Sequence, residues 1–283
     1  MNEDERLEII RQGIARIEET TGGKALRDEE LVREILYITE CPYPLKGSFD
    51  AVYLDIPKEV LVNVMKSHQR YIPIEDAAGR LLPHFIFFAN TVPKDDANVI
   101  RGNEKVLRAR LADARFFFDE DVKAKLADRY ERLASIVFHV KLGTLKDKME
   151  RVKAIAGYLA SVVDHGVAGK LERLIPVMKT DLVTHMVGEF PELQGTMGRI
   201  YARIEGEDDE VALAIEEHYL PTGGNGSLPL TATGAIAGIA DKIDSIVFFF
   251  SVGITPTGNL DPYALRRQSL GIIKIAIDRK MHL

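Results

Sequence analysis

MKTDLVTHMVGEFPELQGTMGRIYA, residues 178–202, governs how the second half of this chain is read. Its spacing predicts a helix up to Gly188, stopped at Phe190-Pro191 because proline lacks an N–H and clashes with the preceding turn. A second helical run follows through Met197, Ile200 and Tyr201. The first run continues an apolar stripe of Leu171, Ile175, Met178, Leu182 and Met186. Asp181 sits only about 60° from Met178 on that helix, so an ionisable carboxylate leans toward the core. Such a group needs a partner. A metal site, an RNA-facing scaffold and a capped core acid all remain open.

At 283 residues the chain is long enough for about two domains with well-buried cores. A hydrophobic share of 46% with 28% charged residues places it among soluble globular proteins. The net charge of −6 argues against a generally basic nucleic-acid binder but leaves room for a local basic face. Cys41 is the only cysteine, which excludes an intrachain disulfide and a cysteine-based zinc site, and suits a reducing compartment. No apolar run approaches the ~20 residues that cross a bilayer. The acidic start, Met1-Asn2-Glu3-Asp4, is unlike a secretory signal. A cytoplasmic protein without a membrane partner is the expectation.

Working outward, the fold class is mainly α with an α+β N-terminal part. Residues 5–20 and 28–38 read as amphipathic helices separated by Thr21-Gly22-Gly23. Phe49 to Leu54 reads as a strand and Lys58 to Ser67 as a short helix opened by Pro57. Tyr71–Ile74 and Leu81–Ala89 read as strands joined by the turn Glu75-Asp76-Ala77-Ala78-Gly79. Asn103 is expected to cap a helix over Glu104–Phe118 with Leu107, Leu111, Ala114 and Phe118 on one stripe. From Thr144 onward the pattern is helical, with Met149, Val152, Ala156, Leu159 and Val163 on one face. Glu207 to Glu210 suit the positive end of a helix. Asp261-Pro262 is expected to open the last helix as N-cap and first residue. PTGGNGSLP, residues 221–229, is expected to be the most mobile segment. The boundary falls near residue 140, giving an α+β domain over 1–139 and an all-helical domain over 140–283.

Three constellations could carry chemistry. Lys105, Arg108 and Arg115 share one face of the helix after Arg101, where three cations could track phosphates. The same run also reads as a solvated face paired with Glu104, Asp113 and Asp119. His68-Gln69-Arg70-Tyr71 could stack on and hydrogen-bond a nucleotide, or could serve the carbonyl end of the preceding helix. The third is spread over the second half, where the helix order and the positions of Asp181 and Asp241 resemble HD phosphohydrolases. That superfamily holds a water-activating cation with a histidine on one helix, a His-Asp pair on the next and a distant aspartate.

Here the resemblance breaks at the ligands. Lys148 stands where the first histidine would fall, and the pair reads Thr180-Asp181. His185 could be a substitute, and Glu217-His218-Tyr219 is similar to the auxiliary histidine segment. An ammonium and a hydroxyl in place of two imidazoles leave a weak site with a cation inside it. No metal ligands are therefore assigned. Asp181 and Asp241 are instead expected to be buried acids paired with Lys148, Lys179 or Lys242. Ile236, Ile239, Ile243, Ile246 and Phe250 form one face of the helix around Asp241, and Gly234, Ala237 and Phe248 flank the acid. That helix reads as internal. No P-loop, nucleophile elbow or zincin motif is present, Cys41 shows no activating neighbours, and no catalytic residue is assigned.

Six ordered stretches resemble the β subunit of the bacterial heterotetrameric glycyl-tRNA synthetase. They are HQRYIPIEDAAGRLLPHFIFFAN (68–90), RGNEKVLRARLADARFFFDED (101–121), FHVKLGTLKDKMERV (138–152), KTDLVTHMVGEFPELQGTMGRIYA (179–202), ADKIDSI (240–246) and PTGNLDPYALRRQSLGI (256–272). They cover most of residues 40–274, whereas residues 1–38 add little. The family's β subunit is much longer, so the resemblance implies a truncated piece whose Met1 is not the natural start. It further implies an HD-like domain in the second half and a role in tRNA recognition. The α subunit of an α2β2 heterotetramer would activate glycine. The holoenzyme would use ATP and Mg, with no cofactor bound by this piece. The tRNA(Gly)-binding candidates are the basic positions Arg70, Arg101, Lys105, Arg108, Arg115, Arg266 and Arg267. An HD-type metal-dependent phosphohydrolase and an RNA-independent scaffold for the α subunit are the competing expectations.

Overall fold

A computed structural model of the chain describes residues 1–223, 226–258 and 260–281. They divide into two compact units, Met1–Asp119 and Glu120–Leu283. The sequence placed the boundary near residue 140.

The first unit begins with α1 (Glu3–Thr21), closed at its start by a reciprocal Asn2/Glu5 capping box and at its end by Gly22 in the left-handed region. β1 (Lys24–Ala25) and α2 (Glu29–Ile38) follow, the latter capped by Asp28. β2 (Tyr43–Ser48), β3 (Ile72–Glu75) and β4 (Leu81–Ala89) complete an antiparallel sheet in the order β1-β3-β4-β2. Ile72, Ile74 and Ile86 of the sheet pack with Ile10 and Ile17 of α1 and with Leu31, Ile35 and Leu36 of α2. Alternation along β4 sends Phe85 and Phe87 the other way, where Tyr71 stacks on Phe85 at 4.6 Å.

Two sequence expectations fail here. Residues 49–54 are not a strand: Asp50 accepts from the Val52 amide (3.0 Å) and starts a 3₁₀ turn over Ala51–Asp55. The strand lies just before it, where Gly47 passes against the Phe85 ring and leaves no room for a Cβ. The second failure is the start of the long helix. After α3 (Lys58–Asn63), which widens into a π-helical turn at Val64–His68, α4 runs over Asp96–Asp121. Asn103 lies inside α4 rather than capping it. Its side chain donates to the Val99 carbonyl (2.9 Å) and accepts from the Tyr71 hydroxyl (2.6 Å). The expected stripe is buried at Leu107, Leu111 and Ala114.

The second unit is helical apart from the small hairpin β5 (Val137–His139) and β6 (Gly143–Thr144). Thr144 and Asp147 form a capping box that opens α5 (Leu145–Val163), which buries Met149, Val152, Ala156 and Leu159 as its periodicity predicts. α6 (Ala168–Leu174) ends in irregular chain and a 3₁₀ turn at Thr180–Val183, and α7 (His185–Glu189) restarts from a Thr184 cap. The continuous helix to Gly188 is therefore replaced by a break. α8 (Thr196–Ile204) follows the Pro191 turn as expected, and Asp208 caps α9 (Asp209–Glu217).

α10 (Ala232–Ser251) is the central rod, buried on every side from Thr233 to Ala240. Gly238 approaches the His218 backbone so closely that a Cβ there would stand 3.1 Å from its carbonyl, which lets the end of α9 lie against α10. Phe250, expected on the buried face, is instead 48% exposed. α11 (Leu265–Asp278) starts later than Asp261-Pro262 predicts, after Ala264 at φ 53°. Asp261 still serves its start, accepting from the Leu265 (2.8 Å) and Arg266 (3.0 Å) amides. In the glycine-rich loop 221–229, Gly224 and Asn225 lie outside the described residues, as does Asn259 of the last resembling stretch.

Candidate functional site

Within the second unit a cleft of about 600 Å³ opens between the side chains of α5, α10, the end of α9 and the start of α11. α5 turns Lys148 inward, 3% exposed, beside its own apolar stripe. The ammonium donates to Asp244 Oδ2 (3.0 Å), Ser245 Oγ (2.8 Å) and the Asp241 carbonyl (2.9 Å), with Asp241 Oδ1 at 3.2 Å. Asp244, fully buried behind the cleft, also takes Arg151 Nε at 2.6 Å. Lys179, from the irregular chain after α6, reaches Asp241 Oδ2 (3.3 Å) and His218 Nε2 (3.0 Å) and lies over the Tyr219 ring at 4.5 Å. Lys242 spends its N–H groups on the carbonyls of His218 (3.0 Å), Leu220 (2.7 Å) and Gly238 (3.4 Å).

The electrostatics follow from burial and these pairings. Burial drives the His218 imidazole well below its usual range, and neighbouring Lys179 pushes the same way, so the ring is neutral. Its Nδ1 faces the Ile215 carbonyl at 2.7 Å and must carry the proton, leaving Nε2 to accept from Lys179. Burial alone would raise Asp241. The summed attraction of Lys148, Lys179 and Lys242 outweighs it and holds that carboxyl well below the usual range. Burial lowers Lys179 and brings Lys242 down to about 8.

These donors do not fit a metal. Both Asp241 oxygens face ammonium groups, and a cation there would meet Lys148 and Lys179 at ion-pair distance. Asp181 does not line the cleft. It is fully buried, and its Oδ2 accepts from the Gly195 (2.6 Å) and Gly198 (3.3 Å) amides. His185, proposed as a substitute ligand, is exposed, and its backbone amide donates to Asp121 (2.9 Å). Among the described residues no three His, Cys, Asp or Glu side chains gather as a metal site. The alternative pairing holds for Asp241, with Lys148 and Lys179 as partners, whereas Asp181 rests on backbone amides.

The basic candidates separate by environment. On α4, Arg101, Lys105 and Arg108 are exposed and form no ion pair among the described residues. Arg115 is half-buried, donates to the Val52 carbonyl (2.8 Å) and pairs with Asp119 at 3.5 Å, which suits a brace. Glu104, expected as a charge partner on α4, instead accepts from the Ser48 amide and hydroxyl. Arg70, at φ 57°, donates to the Ser67 carbonyl and pairs with Glu34 at 2.5 Å, and so serves the end of the preceding helix. Arg266 donates to the Gly258 carbonyl (2.5 Å). Arg267 is exposed at the cleft wall and unpaired among the described residues.

Sequence reasoning named Lys148, Lys179, Lys242 and Asp241 as possible partners but did not foresee a shared cavity. Arg151 and Asp244 escaped it, although each lies three residues from a named position on the same helix.

The whole chain, residues 1–283, matches the family described as the glycyl-tRNA synthetase beta subunit. It is 52% identical over 280 residues to a glycine–tRNA ligase beta subunit of Geobacter sulfurreducens, covering 99% of this chain and 41% of that relative. The counterparts in Geobacter metallireducens and Syntrophus aciditrophicus are each 51% identical over 280 residues, with the same coverage of 99% and 41%. The chain thus spans about two fifths of the length of these relatives. It belongs to the glycyl-tRNA synthetase beta-subunit family.

Proposed function

We propose that this chain serves in attaching glycine to tRNA(Gly), as the part of a ligase β subunit that contacts RNA in the cytoplasm. Glycine activation, with its ATP and Mg, resides on a separate α subunit in an α2β2 assembly. Family membership supports the reaction class, since the similar proteins are named glycine–tRNA ligase beta subunits. The observation that carries the RNA contact is the α4 face, where Arg101, Lys105 and Arg108 are exposed without a carboxylate partner among the described residues. Phosphates compete poorly for cations already neutralised by acids, so unpaired ones are the better candidates. Arg115 and Arg70 fall behind them for the same reason.

The second unit is read as an HD-like helical domain that no longer holds a metal. Lys148, His218 and Asp241 converge in one cleft from helices in the order that fold uses, which supports the reading, while Asp181 has withdrawn from it. Charge reversal of Arg101 together with Arg108 in the intact enzyme should raise the KM for tRNA about tenfold with glycine activation unchanged. Unchanged tRNA KM would sink the α4 assignment and leave the chain as a scaffold for the α subunit.

A further inference from the structure

We propose that the lysine-lined cleft of the second unit is an anion site that takes a phosphate monoester, from a free nucleotide or from the terminus of an RNA strand. This goes beyond the α4 assignment and stands on separate residues. At about 600 Å³ the cleft has the size of small-molecule sites. Lys148, Lys179, Lys242 and Arg267 face it, against the carboxylates Asp241 and Glu192 and the neutral His218, Tyr219 and Tyr263. Asp244 lies behind the wall and is already shared by Lys148 and Arg151. The walls therefore carry more positive than negative charge. Burial lowers Lys179 and Lys242, with Asp241 opposing that shift and the neighbouring ammoniums adding to it.

The donors divide into two kinds. Lys148 and Lys242 are saturated by protein acceptors and act through their field. The groups available to grip oxygen atoms are the unpaired Arg267 guanidinium and the Tyr219 hydroxyl. That hydroxyl is buried, belongs to a residue of the cleft wall and has no hydrogen-bond partner among the described residues. Burial and the nearby Asp181 and Asp241 push the Tyr219 phenol well above its usual range, so it stays a donor. A guanidinium with a phenol matches a phosphate that accepts from two sides. The same surplus that repels a metal cation attracts this ligand.

Titration calorimetry of the full chain at low salt would use AMP, adenosine, and a short RNA with or without a 5′-phosphate. Saturable binding of AMP but not adenosine, weakened about tenfold by Arg267→Glu and comparably by Tyr219→Phe, is the expected result. Lys153→Glu, an exposed change elsewhere on α5, should leave it unaltered. Binding confined to the phosphorylated RNA would identify the RNA terminus as the source and support the site equally. No phosphate-dependent binding to any probe, or binding indifferent to both Arg267→Glu and Tyr219→Phe in folded protein, would overturn the proposal. Either failure leaves the tRNA KM test on Arg101 and Arg108 untouched.

Discussion

Asp181 is fully buried and Asp241 lines the cleft of the same helical unit, yet their carboxyls move in opposite directions. Asp181 Oδ1 has no hydrogen-bond partner among the described residues, and burial raises the group to about 6 against only partial relief from the Gly195 and Gly198 amides. Between about pH 4 and pH 6 the unfolded chain releases a proton that the fold retains, so this group's contribution falls as pH rises. A shift of that size corresponds to about 3 kcal/mol. Urea titrations at pH 4 to 7 should show that decline, and Asp181→Asn should remove it. Asp241 works the other way: its low folded value gives stability that is present at neutral pH and lost on acidification. Gly198 belongs to the same arrangement. A Cβ there would stand 3.2 Å from the Asp181 carboxylate and closer still to Ile215. Gly198→Ala should therefore cost about 1–3 kcal/mol by overpacking, read from the urea midpoint.

At the scale of elements, the break between α6 and α7 depends on a residue far away in sequence. Asp121, at the end of α4 and 1% exposed, accepts from the His185 and Met186 amides (2.9 Å each) and from the Tyr201 hydroxyl (3.0 Å). It satisfies the open N–H groups at the start of α7, and the Arg129 guanidinium lies 3.7 Å away. Asp121→Ala should destabilise the second unit by about 3–5 kcal/mol, because Arg129 would remain buried without its charge partner. Thermal melts followed by circular dichroism would measure it. The apolar stripe through Leu171, Ile175, Met178 and Met186 was legible and is buried, but periodicity could not reveal that the backbone turns between Met178 and His185. In the same way Asn103 and Asp261 were expected as helix caps, and each side chain does bond backbone near a helix, Asn103 inside α4 and Asp261 ahead of α11. What local pattern missed was the register of that bond.

Across the whole molecule, a net charge of −6 coexists with exposed cations, Arg101, Lys105 and Arg108 among them, that form no ion pair among the described residues. Binding of RNA should then be local and salt-dependent. Every cation–phosphate pair that is removed makes the slope of log K against log salt shallower by roughly 0.7–0.9, so substituting Arg101, Lys105 and Arg108 together should reduce it by about 2–3. Filter binding of tRNA to the intact enzyme across a salt series would give that number. A slope unchanged by the triple substitution would place the RNA-binding cations elsewhere.

Much followed from the order of residues alone. Composition and periodicity give a mainly helical chain with an antiparallel sheet near its start, and long ordered stretches identify the family. These properties are set by local spacing and are carried along the chain itself. The cleft was not accessible in that way. Lys148, Lys179, His218 and Asp241 are separated by tens of residues, and their charge states depend on burial and on one another. Sequence showed a lysine, Lys148, where the HD-type resemblance expects a histidine. Folding decided that this lysine would neutralise Asp241 from one side while Lys179 did so from the other. Both oxygens of Asp241 thereby face ammonium groups that repel a metal cation.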